Sequence, residues 1–326
     1  MLFRPWLIPF VVIFWCVTSG WLLVEKILPS LAPTAAPGHQ AFYAVEGRPV
    51  AWTVLWNDQP LGWALSQTHR EEDGGMEVES MLHFDRLPMN DVLPAWTKLL
   101  LRTSFGPQEL LAFDARGHLS IDAAGSLRSF RSAIDLPASG DQIVLSGTID
   151  KGDVTVLVST RDMHYSTSRH LPSNIALGDE LSPQATLPGL FPNRRWTVPI
   201  YSPLRPGQSP IEILHAHVAA EESMFWDDAL LRVHVVHYRD DPASHHEPRS
   251  RLWVDRGGKV LKQESIVLGS KLVFVRRTDE AAERLLATIG VEPSGVEPPP
   301  VPVEIETQAA PDAQPRSDQA AEAEPS

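Results

Sequence analysis

The 326 residues contain a single cysteine, Cys16, and it sits inside an apolar run near the start of the chain. Everything beyond that run therefore has no disulfide, no thiolate metal ligand and no cysteine nucleophile. A basic excess is missing too: the formal net charge is −13, and residues 291–326, with eight acids and one arginine, carry −7 of it. Affinity for nucleic acid rests on neutralising phosphates with a basic footprint, so nucleic acid is not an expected partner. The sequence contains no glycine-rich phosphate loop, no Gly-x-Ser-x-Gly elbow and no Ser-x-x-Lys with its companion motifs. The expectation is a chain that is not an enzyme and uses no cofactor.

Apolar length is what the sequence does have. "PWLIPFVVIFWCVTSGWLLV", residues 5–24, holds no ionisable acid or base other than its cysteine. As a helix rising about 1.5 Å per residue it covers roughly the 30 Å of a hydrocarbon core. Trp6 and Trp21 suit the interfacial belt, and Pro5 and Pro9 fall in the first turns, where proline costs least. Two readings stand. Length favours a retained single-pass anchor over residues 1–28, with the bilayer as partner of residues 5–24. A cleaved secretion signal would use residues 6–17 as its apolar region and end after Gly20. Lipidation of Cys16 is disfavoured, because "IFWC" lacks small residues before the cysteine. Arg4 precedes the run, while Glu25 and Lys26 cancel after it. The positive-inside bias then leaves the N-terminus cytoplasmic and the bulk of the chain outside a bacterial cytoplasmic membrane.

Residues 29–41, including "PSLAPTAAPG", read as a proline- and alanine-rich linker. From residue 42 the period becomes two. Val50, Trp52, Val54 and Trp56 share one face, as do Met76, Val78, Ser80, Leu82 and Phe84, while Leu61, Trp63 and Leu65 alternate between them. "DQPLG", "EEDGG", "DARG", "DKGD", "DRGG" and "LGSK" read as turns. The likeness of "FDARGHL" to "WVDRGGKV" hints at two similar halves. Residues 88–107 are ambiguous between helix and strand, and the proline-rich stretch 171–210 reads as a crossing between sheets or subdomains. In "TDEAAERLLATIG", Thr278 or Asp279 caps a helix whose stripe is Ala282, Leu285, Leu286 and Ile289, with Gly290 as stop. The expected fold is mainly β, built of curved, half-barrel-like antiparallel sheets over 42–290, as one unit or as halves 42–170 and 195–290, with a C-terminal helix. Residues 291–326 hold too little apolar content to repay ordering.

Few residues carry a chemical signal. Arg194 and Arg195 beside Trp196 in "FPNRRW" are the candidate clamp for an anionic head group or sugar phosphate, weighed against two ordinary surface arginines. His215 and His217 in "LHAH" point to one face of a strand and are the candidate metal ligands, but no third ligand lies at a fixed spacing. His234 and His237 point to opposite faces, and "WDD" reads as a solvated turn or edge. Tryptophans 52, 56, 63, 96, 196, 226 and 253 either line an apolar groove or form core.

"RLWVDRGGKVLKQE", "LVFVRRTDEAAERL", "PLGWALSQT" and "LPGLFPNRRW" followed by "SPL" resemble the β-rich extracytoplasmic region of uncharacterised bacterial envelope proteins, which in some members precedes a transglutaminase-like domain. The likeness runs over residues 48–285. It implies an envelope module without that enzyme, with a curved sheet wrapping a helix. Function then divides between a non-catalytic binding or scaffold domain for another envelope protein and a carrier of lipid or glycan in a groove of the sheet. An extracytoplasmic hydrolase ranks last.

Overall fold

The computed structural model describes residues 14, 15, 17–19, 21, 39–43, 47–88, 110–136, 140–170, 176, 177, 183–201, 211–267 and 269–289. Among the described residues fifteen strands form one open sheet, antiparallel except for its last pair. Strands β1 (Val50–Trp56), β2 (Gln59–Arg70), β3 (Met76–Pro88), β4 (Leu110–Ile121), β5 (Leu127–Leu136), β6 (Asp141–Asp150), β7 (Asp153–Ser159) and β8 (His164–His170) follow one another outward from the centre. On the other flank, β9 (Ala176–Leu177), β10 (Arg195–Tyr201), β11 (Ile211–Trp226), β12 (Ala229–Arg239), β13 (Ser250–Asp255), β14 (Val260–Val267) and β15 (Ser270–Arg276) run inward from the edge. The flanks join where β15 pairs with β1, Trp52 opposite Arg276 and Val54 opposite Phe274. The strands thus make a single sheet, and residues 195–201 of the expected crossing are one of them.

Alternation decides the two faces. Trp52, Val54, Trp56, Leu82, Phe84, Phe113, Trp196, Val218, Leu252 and Phe274 meet in one cluster on the inner face. Ile211 of β11 packs against the cluster of Phe130, Leu145, Val154 and Val156 on β5–β7, so the sheet curls far enough to bring its two flanks together. Each large side chain taken out of water contributes about 1.5–3 kcal/mol. On the outer face, α2 (Asp279–Ile289) lies against β1 and β2, with Ala282, Leu285, Leu286 and Ile289 on Ala51, Trp63 and Leu65. Its start is capped as expected, the Thr278 hydroxyl accepting from the Ala281 N–H at 3.3 Å.

Leu61 departs from the expected alternation. It is the extra residue of a bulge between the Val54–Gly62 and Leu55–Pro60 pairs, and this turns it into the inner cluster while Trp63 and Leu65 face out. "DARG" is also corrected: Asp114–Gly117 lies mid-strand in β4, whereas "DRGG" is the β13–β14 turn, so the apparent likeness of two halves has no structural counterpart. A Cβ at 117 would meet the Ser80 hydroxyl across the pair, which would have to turn aside. Hairpins at Asn57–Asp58 and Asp227–Asp228 use the left-handed backbone that such two-residue loops require.

The concave side of the inward flank is crossed by residues 183–190. The Leu187 N–H donates to the Gly258 carbonyl at 2.7 Å, the Val260 N–H to the Ala185 carbonyl at 3.1 Å, and the Ala185 N–H to Phe42 of α1 (His39–Tyr43) at 3.1 Å. Phe42, Ala185 and Leu187 thereby become part of the main core. Arg276 fastens this crossing from below. Its Nη1 donates to the Ala185 carbonyl at 2.9 Å, its guanidinium lies 5.7 Å from the Trp52 ring centroid, and the residue is 3% exposed. Burial lowers its pKa, opposed by Asp279 and Asp255.

No helix among the described residues is long and apolar enough to cross a membrane. The 5–24 run lies outside them apart from Phe14, Trp15, Val17, Thr18, Ser19 and Trp21, which are helical. The linker at 29–38, nearly all of the 88–107 segment and the tail at 291–326 also lie outside the described residues.

Candidate functional site

The outer face carries two cross-strand rows of opposite character. On the outward flank the register aligns Trp63, His83, Asp114, Asp135 and Gln142 across β2–β6. His83 stacks on Trp63 with centroids 5.4 Å apart. Its Nδ1 lies 2.6 Å from Asp114 and its Nε2 3.1 Å from Asp85. Partial burial pulls the His83 pKa down, but the hydrogen bonds to Asp114 and Asp85 outweigh it, and the net shift is upward.

On the inward flank the corresponding row reads Arg195, His217, His237, Arg251 and Glu264 across β10–β14. A second row beside it places Thr197, His215 and Arg239 opposite one another. Three guanidiniums and three imidazoles thus share one patch of a chain whose net charge is −13. Burial lowers the pKa of His217, helped by Arg195 and Arg239. Burial does the same for His237, helped by Arg251, Arg239 and His217 against Glu222. Two of the arginines are held: Arg251 by Glu247 at 3.3 Å and Glu264 at 3.9 Å, Arg239 by the carbonyls of Ser244 and His246. Lys262 takes Glu264 more closely, at 2.7 Å, and lies 4.5 Å from the Trp253 centroid.

Arg194, Arg195 and Trp196 do not converge. Trp196 is buried in the main core with its ring edge-on to Tyr238. Arg194 lies over Trp196 at 5.2 Å and Phe191 at 5.8 Å and donates to the Gly189 carbonyl at 2.6 Å. Arg195, one residue on, has the opposite facing and joins the outer row. His215 and His217 do share a face, as expected, but no group of three or more His, Cys, Asp or Glu able to hold a metal occurs among the described residues. His234 points inward, its Nδ1 3.8 Å from Glu221.

A third feature is the β11–β12 hairpin. Phe225 and Leu230 are directly paired on one face near its end and are 67% and 71% exposed. On the other face Trp226 is pinned: its Nε1 donates to the Arg276 carbonyl at 2.9 Å, and Lys259 stands 5.7 Å from its ring centroid. The tip is held on one side while it presents an apolar pair on the other.

Sequence reasoning singled out Arg195, His215 and His217 but not His237, Arg239 or Arg251. The signal needed was register: β11–β12 pairs "LHAH" with "HVVHYR", and β12–β13 sets Arg251 opposite His237. Single-strand periodicity does not supply a register. The exposed pair Phe225 and Leu230 was visible as apolar residues flanking "WDD", without any mark of which face would stay uncovered.

No family model matches the chain, and no curated protein matches it. Among solved structures, it is similar to a β-barrel-like protein of domain of unknown function DUF1849 from Brucella abortus, with 10% identity and a TM-score of 0.42, covering 71% of this chain and 95% of that one. It is also similar to a DUF1089 family protein from Pseudomonas aeruginosa, with 16% identity and a TM-score of 0.30, covering 64% of this chain and 91% of that one.

Proposed function

We infer that the chain is a membrane-anchored envelope protein whose β domain binds another envelope protein through the β11–β12 hairpin. The observation that carries this reading is the paired exposure of Phe225 and Leu230 on a hairpin whose opposite face is locked by Trp226. Two large apolar side chains held rigidly in water lose little entropy on docking, and their burial against a partner is worth about 1.5–3 kcal/mol each. Asp227 and Asp228 at the turn favour a protein surface over an anionic bilayer as the occupant. The anchor reading is supported by Phe14, Trp15, Val17 and Trp21, which are helical and exposed, an arrangement that suits lipid and not water.

The test is crosslinking in the native envelope followed by purification in detergent. A partner recovered with the wild type and lost from a Phe225→Ser/Leu230→Ser variant supports the reading. Recovery unchanged by that variant removes the hairpin, and extraction of the full chain by alkaline carbonate removes the anchor. The carrier reading draws less support: Trp52, Trp56 and Trp196, offered as groove walls, are packed in the main core, and residues 183–190 occupy the concave side beside them.

A further inference from the structure

The basic patch on β10–β13 has a geometry that a peptide-binding hairpin does not explain. We propose that Arg195, Thr197, His217, His237 and Arg239 form a binding site for a phosphate group, free or as a phosphomonoester head group. The site does not depend on the hairpin or on the anchor.

Neighbouring strands stand about 4.8 Å apart, so Arg195, His217 and His237, aligned on three successive strands, span roughly 10 Å. A phosphate seated over His217 has Arg195 and His237 as direct neighbours and Arg239 on a diagonal within reach of its long side chain, with Thr197 bordering the site on the other diagonal. Every one of these residues is a hydrogen-bond donor or can become one, and Thr197 and Arg195 are exposed. Arg195 has no carboxylate partner among the described residues, unlike Arg251, so its planar fork is open for bidentate recognition of a phosphate. His217 Nε2 is buried with no hydrogen-bond partner among the described residues. A buried polar atom left unpaired costs free energy, and imidazoles set among guanidiniums repel further positive charge. A dianion arriving here compensates the clustered charge, and a turn of the His217 ring that brings Nε2 to it also gives that atom a partner.

A proton linkage follows. The groups around the two imidazoles are Arg195, His215, Arg239, Arg251 and Lys262 as cations or potential cations, with Glu222, Glu247 and Glu264 as the acids on the border. Burial and the neighbouring guanidiniums favour the neutral forms of His217 and His237 in the free protein, and a bound dianion favours their charged forms. Binding of a phosphate dianion therefore takes up protons at His217 and His237, read as a dependence of the binding heat on the ionisation enthalpy of the buffer at pH 7.5.

The experiment is calorimetric titration of the full chain in a neutral detergent. The probes are inorganic phosphate and dihexanoyl phosphatidic acid below its critical micelle concentration. Saturable binding of either supports the site; binding of both points to the phosphate alone, and binding of the lipid alone points to a presented head group. Arg195→Gln and His237→Gln should each weaken it about tenfold, the size of a lost charge-assisted hydrogen bond. Arg131→Gln, on the other flank, should leave it unchanged. Arg195 is exposed, so its variant reads out the site even if His237→Gln does not fold. Failure of both probes to bind at pH 7.5, where the dianion is present, or binding that ignores Arg195→Gln, overturns the proposal.

Discussion

The two flanks of the sheet follow the same alternating pattern and end in different states. On the inward flank the inner positions of β13, β14 and β15 are almost all buried, because Phe42 and the crossing of residues 183–190 cover them. On the outward flank β7 is mixed and β8 is exposed along nearly its whole length. The outer faces differ as well, one placing an imidazole among carboxylates and the other placing imidazoles among guanidiniums. Burial in a one-layer sheet is decided by what lies across it, and charge on a sheet face is decided by register. Neither quantity belongs to a single strand.

The comparison breaks most sharply in the core. Trp52→Ala, under the crossing segment, should cost about 3–5 kcal/mol, whereas Val156→Ala on β7 should cost about 1–2 kcal/mol. Urea denaturation of the full chain in detergent measures both, and a loss at Trp52 no larger than that at Val156 would break the comparison. Gly62→Ala comes next. A Cβ there falls inside contact distance of the His83 carbonyl carbon and oxygen, and backbone cannot yield cheaply. A loss of about 2–3 kcal/mol is expected, together with a His83 titration shifted toward its ordinary value, read by NMR.

Smaller again is Asp114→Asn. A hydrogen bond to a charged group is worth about 1.5–3 kcal/mol, but both Asp114 and His83 are partly solvated, so about 1 kcal/mol should be lost at pH 6 and almost nothing at pH 9. The sign comes from the raised pKa of His83. Its contribution is fully present below the unfolded value of about 6.5 and disappears as pH rises through the higher folded value. His217 and His237 behave oppositely. Their depressed folded values mean that stability falls as pH drops through about 6.5 toward them. Replacing His83 by Gln should therefore flatten a slope of one sign between pH 5 and 8, and replacing His237 by Gln one of the other sign. The smallest effect is expected for Arg195→Gln without ligand: at pH 6 a stabilisation of about 0.3–0.5 kcal/mol, since one repulsive neighbour of His217 is gone. A destabilised variant would show that Arg195 has a favourable partner.

Much of the sheet was legible in the sequence. Period-two runs at Val50–Trp56 and Met76–Phe84 lie where the alternation put them, with Trp52, Val54, Val78 and Phe84 buried. The Asp279–Ile289 helix is capped and striped as its residues required. Where the reading failed, at Leu61 and at Asp114–Gly117, the cause was the partner strand: a bulge and a mid-strand glycine look like turn chemistry until the neighbour is known. The candidate clamp was divided in the same manner. Arg194, Arg195 and Trp196 are adjacent in the chain, yet consecutive residues on a strand face opposite ways, so adjacency separated the two guanidiniums instead of joining them.

The sequence by itself determined the β period, the turns at "EEDGG", "DKGD" and "DRGG", the closing helix, and the apolar run ahead of the domain, because each is a local property of backbone preference and side-chain polarity. Only the tertiary structure decided that β1 pairs with β15, that residues 183–190 cross one flank, and that Arg195, His217 and His237 stand side by side. Those are pairings between segments far apart in the chain, set by which surfaces together leave the least apolar area in water.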